Sequence, residues 1–136
     1  MNIRRTSEKL VVVEDYAHHP SEIAAALKML RFRYPRYHLR VLVQPHRYAR
    51  LEYFFDDFVR ELGKADSALI LPVFAAWSES GKIDSRDLAD AIGGAVSLNC
   101  GWPEVARIAA LPPADGRPMV LAVLGAGDIE RVFDFL

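Results

Sequence analysis

The stretch Leu10-Val11-Val12-Val13-Glu14-Asp15-Tyr16-Ala17-His18-His19-Pro20-Ser21-Glu22-Ile23 sets the architecture of the chain. Its first four residues form a short apolar run rich in β-branched side chains, which is typical of a strand buried on both faces of a sheet. Pro20 is favoured as a first helical residue because its missing N–H has no intrahelical partner there, and Glu22 suits the first turn. The stretch therefore predicts a strand that ends near Tyr16 and a helix over residues 20–32.

The same alternation of strand and helix continues along the chain. Further strands are predicted at 41–43, 68–73, 96–100 and 119–124, and helices at 51–62, from 84 or 85, at 103–110 and near the end. Strands joined by helices need crossover connections, and these give a parallel sheet with helices on both faces. We predict one α/β domain, a Rossmann-like and mostly parallel sheet of about five or six strands.

Composition limits the functions that this domain can have. A length of 136 residues with 51% hydrophobic content fits one compact domain. The net charge of -1 provides no overall field for nucleic acid or anionic lipid, so neither is expected as a partner. No run approaches the roughly 20 apolar residues of a membrane span, and a single cysteine suits a reducing compartment. We expect a cytoplasmic protein in which Cys100 is a small buried hydrophobe.

Polar loops follow the predicted strands directly. In open parallel sheets, ligands bind beyond the carboxyl ends of the strands, so the loops at 15–19, 45–50, 74–80, 101–102 and 125–128 should share one rim. Arg47 and Arg50, three residues apart at a helix start, are well placed to bind a carboxylate or phosphate. The alternative is that they only form ion pairs with helix carboxylates, namely Glu52, Asp56 or Asp57.

Two other patterns have weaker functional interpretations. His18, His19 and His46 with Asp15 contain ligand types for a metal, but there is no HxH, HxxxH or cysteine partner, and no metal site is predicted. The segment 31–40 mixes arginine with aromatic residues, as some RNA-binding surfaces do. The charge balance and a turn-forming proline favour a helix end and its connection instead.

Five motifs together carry a resemblance to a known family: 15–23, 44–50, 55–58, 84–86 and 125–129. In this order, and over nearly the whole chain, they resemble the C-terminal domain of the Mur ligases, the enzymes of peptidoglycan synthesis for the bacterial cell wall. Arg4-Arg5 resemble the paired arginines of the hinge that precedes this domain. The resemblance implies a hinge segment at 1–9 and an amino-acid-binding domain at 10–136.

Within this family, the resemblance is to the branch that joins an L-amino acid, expected to be L-alanine, to UDP-N-acetylmuramate. It implies that ATP, with Mg²⁺, converts the muramate carboxylate into an acyl phosphate, which the amino group of the amino acid attacks. Arg47 and Arg50 would hold the amino-acid carboxylate. His46 and His19 would lie nearby.

The resemblance also implies a nucleotide side to the site. Asp15, with Arg5 or Arg4 of the hinge, would contact the ribose or phosphates of ATP when the domain closes. Tyr16 and His18 would line the crevice. Part of its wall would be formed by a loop that contains Gly125, Gly127 and Asp128.

Several features of the full enzymes are missing from this sequence. It contains no phosphate-loop motif, so the central ATPase domain and the N-terminal UDP-sugar-binding domain are expected as partners in a longer parent, and the chain alone is expected to be inactive. The loop at 74–82 departs from the family pattern. Two alternatives stay open: a domain of the murein-tripeptide recycling ligase, and a standalone module that binds an anion or nucleotide without catalysis.

Overall fold

The computed structural model describes residues 1–75 and 80–136. The strands in this part of the chain are β1 (Asn2–Thr6), β2 (Leu10–Asp15), β3 (His38–Val43), β4 (Ser67–Ile70), β5 (Val96–Ser97) and β6 (Met119–Leu124). They form one sheet in the order β1-β2-β6-β3-β4-β5. Every pairing from β2 to β5 is parallel, whereas β1 pairs with β2 in the antiparallel sense. The predicted mostly parallel sheet is confirmed.

Helices cover both faces of the sheet, as predicted. They are α1 (Pro20–Arg33), α2 (Tyr48–Tyr53), α3 (Phe55–Leu62), α4 (Ser85–Ala91), α5 (Trp102–Ala109) and a 3₁₀ helix at Asp128–Asp134. Side chains of helices α1 to α4 pack on one face, and those of α5 and the 3₁₀ helix pack on the other. Successive strand residues alternate between the two cores: Val11 and Val13 belong to the first, and Val12 to the second.

The structure corrects several predicted boundaries. The helix predicted at 51–62 is divided at Phe54, whose φ of -103° and ψ of 21° interrupt the helical path. Gly63 does end α3, but in the right-handed region rather than the left-handed one that glycine caps commonly adopt. Strand β4 ends at Ile70 instead of residue 73, two residues before Pro72, which has no N–H for the ladder. Cys100 is exposed and is not the buried residue that we predicted.

Strand β1 has no counterpart in the predicted elements, because all five of its residues are exposed and hydrophobic periodicity therefore gives no signal. It extends the sheet beyond β2 along one edge. The residues assigned to a hinge segment thus contribute an edge strand to this domain.

The topology brings three of the polar loops to one end of the sheet. β2, β3 and β6 run side by side, with Asp15 opposite Leu124 and Val43 opposite Leu124 in register. The loops at 15–19, 44–50 and 125–128 therefore leave adjacent strands at the same carboxyl edge. Residues 76–79 of the predicted rim loop lie outside the described residues. No helix in the described ranges is long and apolar enough to cross a membrane.

Candidate functional site

The first loop of the rim is fixed by a capping box at the start of α1. His19 is the N-cap, and its Nδ1 accepts a hydrogen bond from the Ser21 amide at 3.1 Å. The Glu22 carboxylate accepts from the amides of His19 (3.1 Å) and His18 (3.3 Å). Although burial acts to raise the pKa of Glu22, these two amides lower it below its usual value. The helix start thus holds both histidines in place.

His18 has its proton position set by the backbone. Its Nδ1 lies 2.9 Å from the carbonyl oxygen of Tyr16, and because a carbonyl only accepts, Nδ1 donates. In the neutral ring this leaves Nε2 as an acceptor. The side chain of Tyr16 is 66% exposed beside it. Asp15 folds back, and its Oδ1 accepts from the Ala17 amide at 2.9 Å.

His46, on the second loop, is in contact with Arg50, which lies in α2. Nη1 of Arg50 lies 3.1 Å from His46 Nδ1 and 3.1 Å from the His46 carbonyl oxygen. The His46 ring stacks on Phe74 with centroids 5.5 Å apart, and it lies 5.9 Å from the His18 ring. The predicted meeting of the two loops therefore occurs through their histidines. His19 lies to one side, edge-to-face with Phe54 at 4.6 Å.

Arg47 has an unusual backbone for a residue with a side chain. Its φ of 72° lies in the region that favours glycine, and it is the only described residue other than glycine with a positive φ. The amide of Arg47 donates to the Phe74 carbonyl at 2.9 Å, which holds the loop in this conformation. Its exposed side chain forms no ion pair within the described residues. Strain of this kind concentrates at binding sites.

The ion-pair alternative for these arginines is not found in the described part of the chain. Asp57 pairs with Arg60 at 2.7 Å, and neither Arg47 nor Arg50 forms an ion pair with Glu52, Asp56 or Asp57 there. Arg50 instead contacts His46. The Arg50 guanidinium lies against the His46 ring, and Arg47 is exposed three residues earlier, so the start of α2 carries two cations that suit a carboxylate or phosphate.

Gln44 joins the second loop to the third, a role that its sequence pattern does not predict. Its Nε2 donates to Asp128 at 2.7 Å, and its Oε1 accepts from the Ile129 amide at 3.1 Å. A Cβ on Gly127 would lie 2.6 Å from Gln44 Oε1 and 2.6 Å from Phe74 Cγ, so only glycine fits there. Gln44 is 6% exposed, and no signal in the sequence shows this burial because its partners lie 84 and 85 residues away.

The two hinge arginines differ in their contacts. Arg4 pairs with Glu14 at 2.8 Å and lies over the Phe133 ring, 4.2 Å from its centroid. Arg5 is exposed and has no ion pair within the described residues. Arg5 is therefore the one whose guanidinium is available to a ligand. In the same ranges, no group of three His, Cys, Asp or Glu side chains is arranged to hold a metal ion.

A second polar cluster lies at the opposite end of the sheet. His38 accepts or donates at both ring nitrogens, with Asp115 at 2.7 Å and Ser67 at 2.8 Å. Asp115, His38 and Ser67 contact one another in the order of the Asp-His-Ser triad of hydrolases, and no sequence motif indicated this. However, Arg40 Nε also donates to Ser67 Oγ, at 3.1 Å, so this hydroxyl is held on both sides. Hydrogen bonds from Arg117 and His38 keep the pKa of Asp115 well below its usual value. The cluster ties β3 and β4 to the 111–118 loop.

Comparison with known proteins shows what this chain is similar to. Residues 1–127 match the family model described as "Mur ligase, glutamate ligase domain". UDP-N-acetylmuramate--L-alanine ligase of Ruthia magnifica subsp. Calyptogena magnifica is 39% identical over an alignment 129 residues long, which covers 90% of this chain and 27% of that protein. The protein of the same name from Bifidobacterium longum (strain DJO10A) is 36% identical over an alignment 138 residues long, which covers 93% of this chain and 27% of that protein.

The fold has a counterpart of known structure. The crystal structure of UDP-N-acetylmuramate-alanine ligase MurC from Thermotoga maritima superposes with a TM-score of 0.74 at 22% identity, and the match covers 98% of this chain and 28% of that one. At this identity the likeness shows the fold alone. The chain spans about 27% of the length of the curated relatives that it matches.

Proposed function

The chain belongs to the family of Mur ligase C-terminal domains, and from this premise we propose that it binds the incoming amino acid of an ATP-dependent ligase. The proposed reaction of the parent protein joins an L-amino acid, L-alanine in the first instance, to UDP-N-acetylmuramate. ATP phosphorylates the muramate carboxylate, the amino group attacks the acyl carbon, and phosphate leaves. The two other domains of the parent would supply the nucleotide and UDP-sugar sites.

The cationic surface around Arg50 is the observation that carries this proposal. A free amino acid differs from most other small nucleophiles in its α-carboxylate, and a ligase that selects it needs a fixed cationic partner. The contacts of Arg50 to the ring and carbonyl of His46 hold the guanidinium, and Arg47 stands three residues before it as the N-cap of the same helix. We assign the carboxylate to these two arginines, with His46 and His19 as positioning groups.

The proton balance of the reaction gives His18 a role next to them. An α-ammonium group must lose a proton before it can attack the acyl phosphate. His18 donates through Nδ1 to the Tyr16 carbonyl, so its neutral ring has an acceptor at Nε2, on a ring 5.9 Å from that of His46. We therefore propose that His18 lies on the amine side of the bound amino acid. Tyr16 would line the same crevice.

The nucleotide side of the site is proposed for the edge of the sheet next to β1. Asp15 ends β2, and Arg5 extends from the neighbouring strand without an ion pair in the described part of the chain. On closure of the domain over ATP, Arg5 would contact phosphate and Asp15 the ribose hydroxyls. Gly125, Gly127 and Asp128 would form the adjoining wall, which Gln44 supports. Mg²⁺ would arrive with the nucleotide.

An ATP-dependent ligation assay on the parent protein tests the proposal. The assay would contain UDP-N-acetylmuramate, ATP and each of a panel of L-amino acids, with ADP release and the mass of the product as readouts. We expect product only with the muramate nucleotide, with L-alanine among the best amino acids, and none from this chain alone. A parent that forms no amide with any of these amino acids would overturn the assignment. Product from a murein tripeptide in place of a free amino acid would instead indicate the recycling ligase.

A further inference from the structure

One surface of the domain takes no part in the proposed ligation, and it lies at the far end of α1. The helix begins at the rim with His19, and Phe32 lies thirteen residues later, about 20 Å along the axis. Phe32 is 88% exposed and Met29 is 55% exposed. The two side chains are three residues apart on one helix and therefore adjacent, and contiguous exposed apolar patches, unlike single exposed apolar residues, mark interaction surfaces.

These two residues lie on the side of the helix that faces away from the core. At about 100° per residue, Met29 and Phe32 are about 60° apart around the axis, roughly opposite the direction of Ile23, Leu27 and Leu30. Those three residues are buried, at 0%, 3% and 2% exposure. The core therefore does not account for Met29 and Phe32, and α1 has two apolar sides.

Cations surround the outer apolar pair. Lys28 lies on one side of it and Arg33 on the other, with Arg36 just past the end of the helix, and all three are exposed. None of them forms an ion pair within the described residues. Neighbouring arginines are engaged elsewhere, since Arg31 pairs with Asp66 at 2.8 Å and Arg40 binds the carbonyl of Ala109. The surface is locally positive although the net charge of the chain is -1.

We propose that this surface, formed by Lys28, Met29, Phe32, Arg33 and Arg36, binds the headgroup region of anionic lipid bilayers. The surface combines two exposed apolar side chains with three exposed cations, and an anionic bilayer offers a partner to each, the acyl-chain boundary and the phosphates. Phe32 and Met29 would enter the interface, while the three cations would contact lipid phosphates. Nucleic acid is less favoured because Phe32 is the one aromatic ring among these five residues, whereas surfaces that bind single strands stack successive bases on several rings.

The surface and the proposed amino-acid site are at opposite ends of α1, so they can be tested separately. This chain would be sedimented with vesicles of phosphatidylcholine alone and with vesicles containing phosphatidylglycerol, at low and high salt. We expect binding only to the anionic vesicles, and less of it at high salt because the cations are screened. Phe32→Ser should weaken binding about tenfold, and Lys28→Glu with Arg33→Glu at least as much.

Matched controls distinguish the surface from a general change of charge or aromatic content. Tyr53→Ser removes an aromatic residue that is 82% exposed on another helix, and Lys82→Glu with Arg86→Glu changes the net charge by the same amount. Both should bind vesicles as the unmodified chain does. Absence of binding to anionic vesicles at low salt, equal binding to neutral vesicles, or undiminished binding of Phe32→Ser would each overturn the proposal. So would binding to single-stranded nucleic acid without binding to vesicles.

Discussion

Nη1 of Arg50 lies 3.1 Å from Nδ1 of His46 and at the same distance from the carbonyl oxygen of that residue. A guanidinium only donates, so Nδ1 must accept, and a neutral His46 carries its proton on Nε2. His46 therefore holds the Arg50 guanidinium through two hydrogen bonds, one to its ring and one to its carbonyl oxygen. In the proposed anion site, His46 would therefore position the cation without touching the anion.

This coupling should be measurable in the parent ligase. Arg50→Ala removes the cation, and His46→Ala removes one of its two supports. Because both act on the same carboxylate, the double variant should lose less kcat/KM for the amino acid than the sum of the single losses, with a coupling of about 1 kcal/mol. Additive losses would indicate that His46 acts independently of Arg50.

The positive φ of Arg47 predicts a separation of stability from binding. Glycine adopts φ near 72° more easily than alanine does. In urea unfolding of this chain, Arg47→Gly should therefore be about 1 kcal/mol more stable than Arg47→Ala. In the parent ligase, both variants should raise the KM for the amino acid alike, since both lack the guanidinium. Equal stability of the two variants would show that the backbone at this position is not strained.

The Gly125 to Asp128 loop offers a second steric test. In Gly127→Ala the new Cβ would meet Gln44 Oε1 and Phe74, both 2.6 Å away, so the loop must move. We expect a loss of about 1–3 kcal/mol in unfolding free energy. Gly93→Ala is the matched control, because nothing lies within 4 Å of its Cβ and its stability should be nearly unchanged. Similar effects of the two substitutions would mean that Gly127 is not packed against Gln44.

Asp66 predicts a pH dependence of stability. Burial acts to raise its pKa, but the hydrogen bond from Arg31 and that from the Leu39 amide lower it below 3.8. A lowered folded pKa means that the carboxylate stabilises the fold fully above about pH 4, and that this contribution is lost as the pH falls further. Asp66→Asn should therefore cost about 1 kcal/mol in unfolding free energy at pH 7 and less at pH 3.

A surface ion pair serves as the control for Asp66. Asp57 pairs with Arg60 at 2.7 Å, but both side chains are largely exposed, so Asp57→Asn should change stability at pH 7 by less than about 0.5 kcal/mol. If Asp66→Asn lost the same small amount at pH 7, or the same amount at pH 3 as at pH 7, the predicted linkage would be wrong.

Much of the fold could be predicted because buried strands and helices have apolar residues at regular spacings in the sequence. Strands β2 and β6 contain continuous apolar runs, which predicts strands buried on both faces. In such a strand alternate residues point to opposite faces, as Val11, Val12 and Val13 do between the two cores. Strand β1 has no such apolar pattern because all five of its residues are exposed. The order of the strands in the sheet could not be predicted either, since the position of β6 between β2 and β3 depends on contacts between residues distant in sequence.

Some features of the candidate site could likewise be predicted from the sequence and others could not. The approach of His18 to His46 follows from two loops that leave strands at the same sheet edge, and this was predictable. The roles of Gln44 and Phe74 were not, because each depends on a partner in a distant segment: Asp128 for Gln44 and His46 for Phe74. The pair of His38 with Asp115 was missed for the same reason, as 77 residues separate them.

The assignment of Arg47 and Arg50 to the amino-acid carboxylate is tested most directly by changing the carboxylate and the arginine together. The parent ligase and its Arg50→Ala variant would each be assayed with L-alanine and with L-alaninamide, whose carboxylate is replaced by a neutral amide. We predict that the unmodified enzyme prefers L-alanine in kcat/KM and that Arg50→Ala lowers this preference about 10- to 100-fold, with the KM for ATP little changed. If Arg50→Ala preferred L-alanine to L-alaninamide as strongly as the unmodified enzyme does, the assignment of Arg50 to the carboxylate would be wrong.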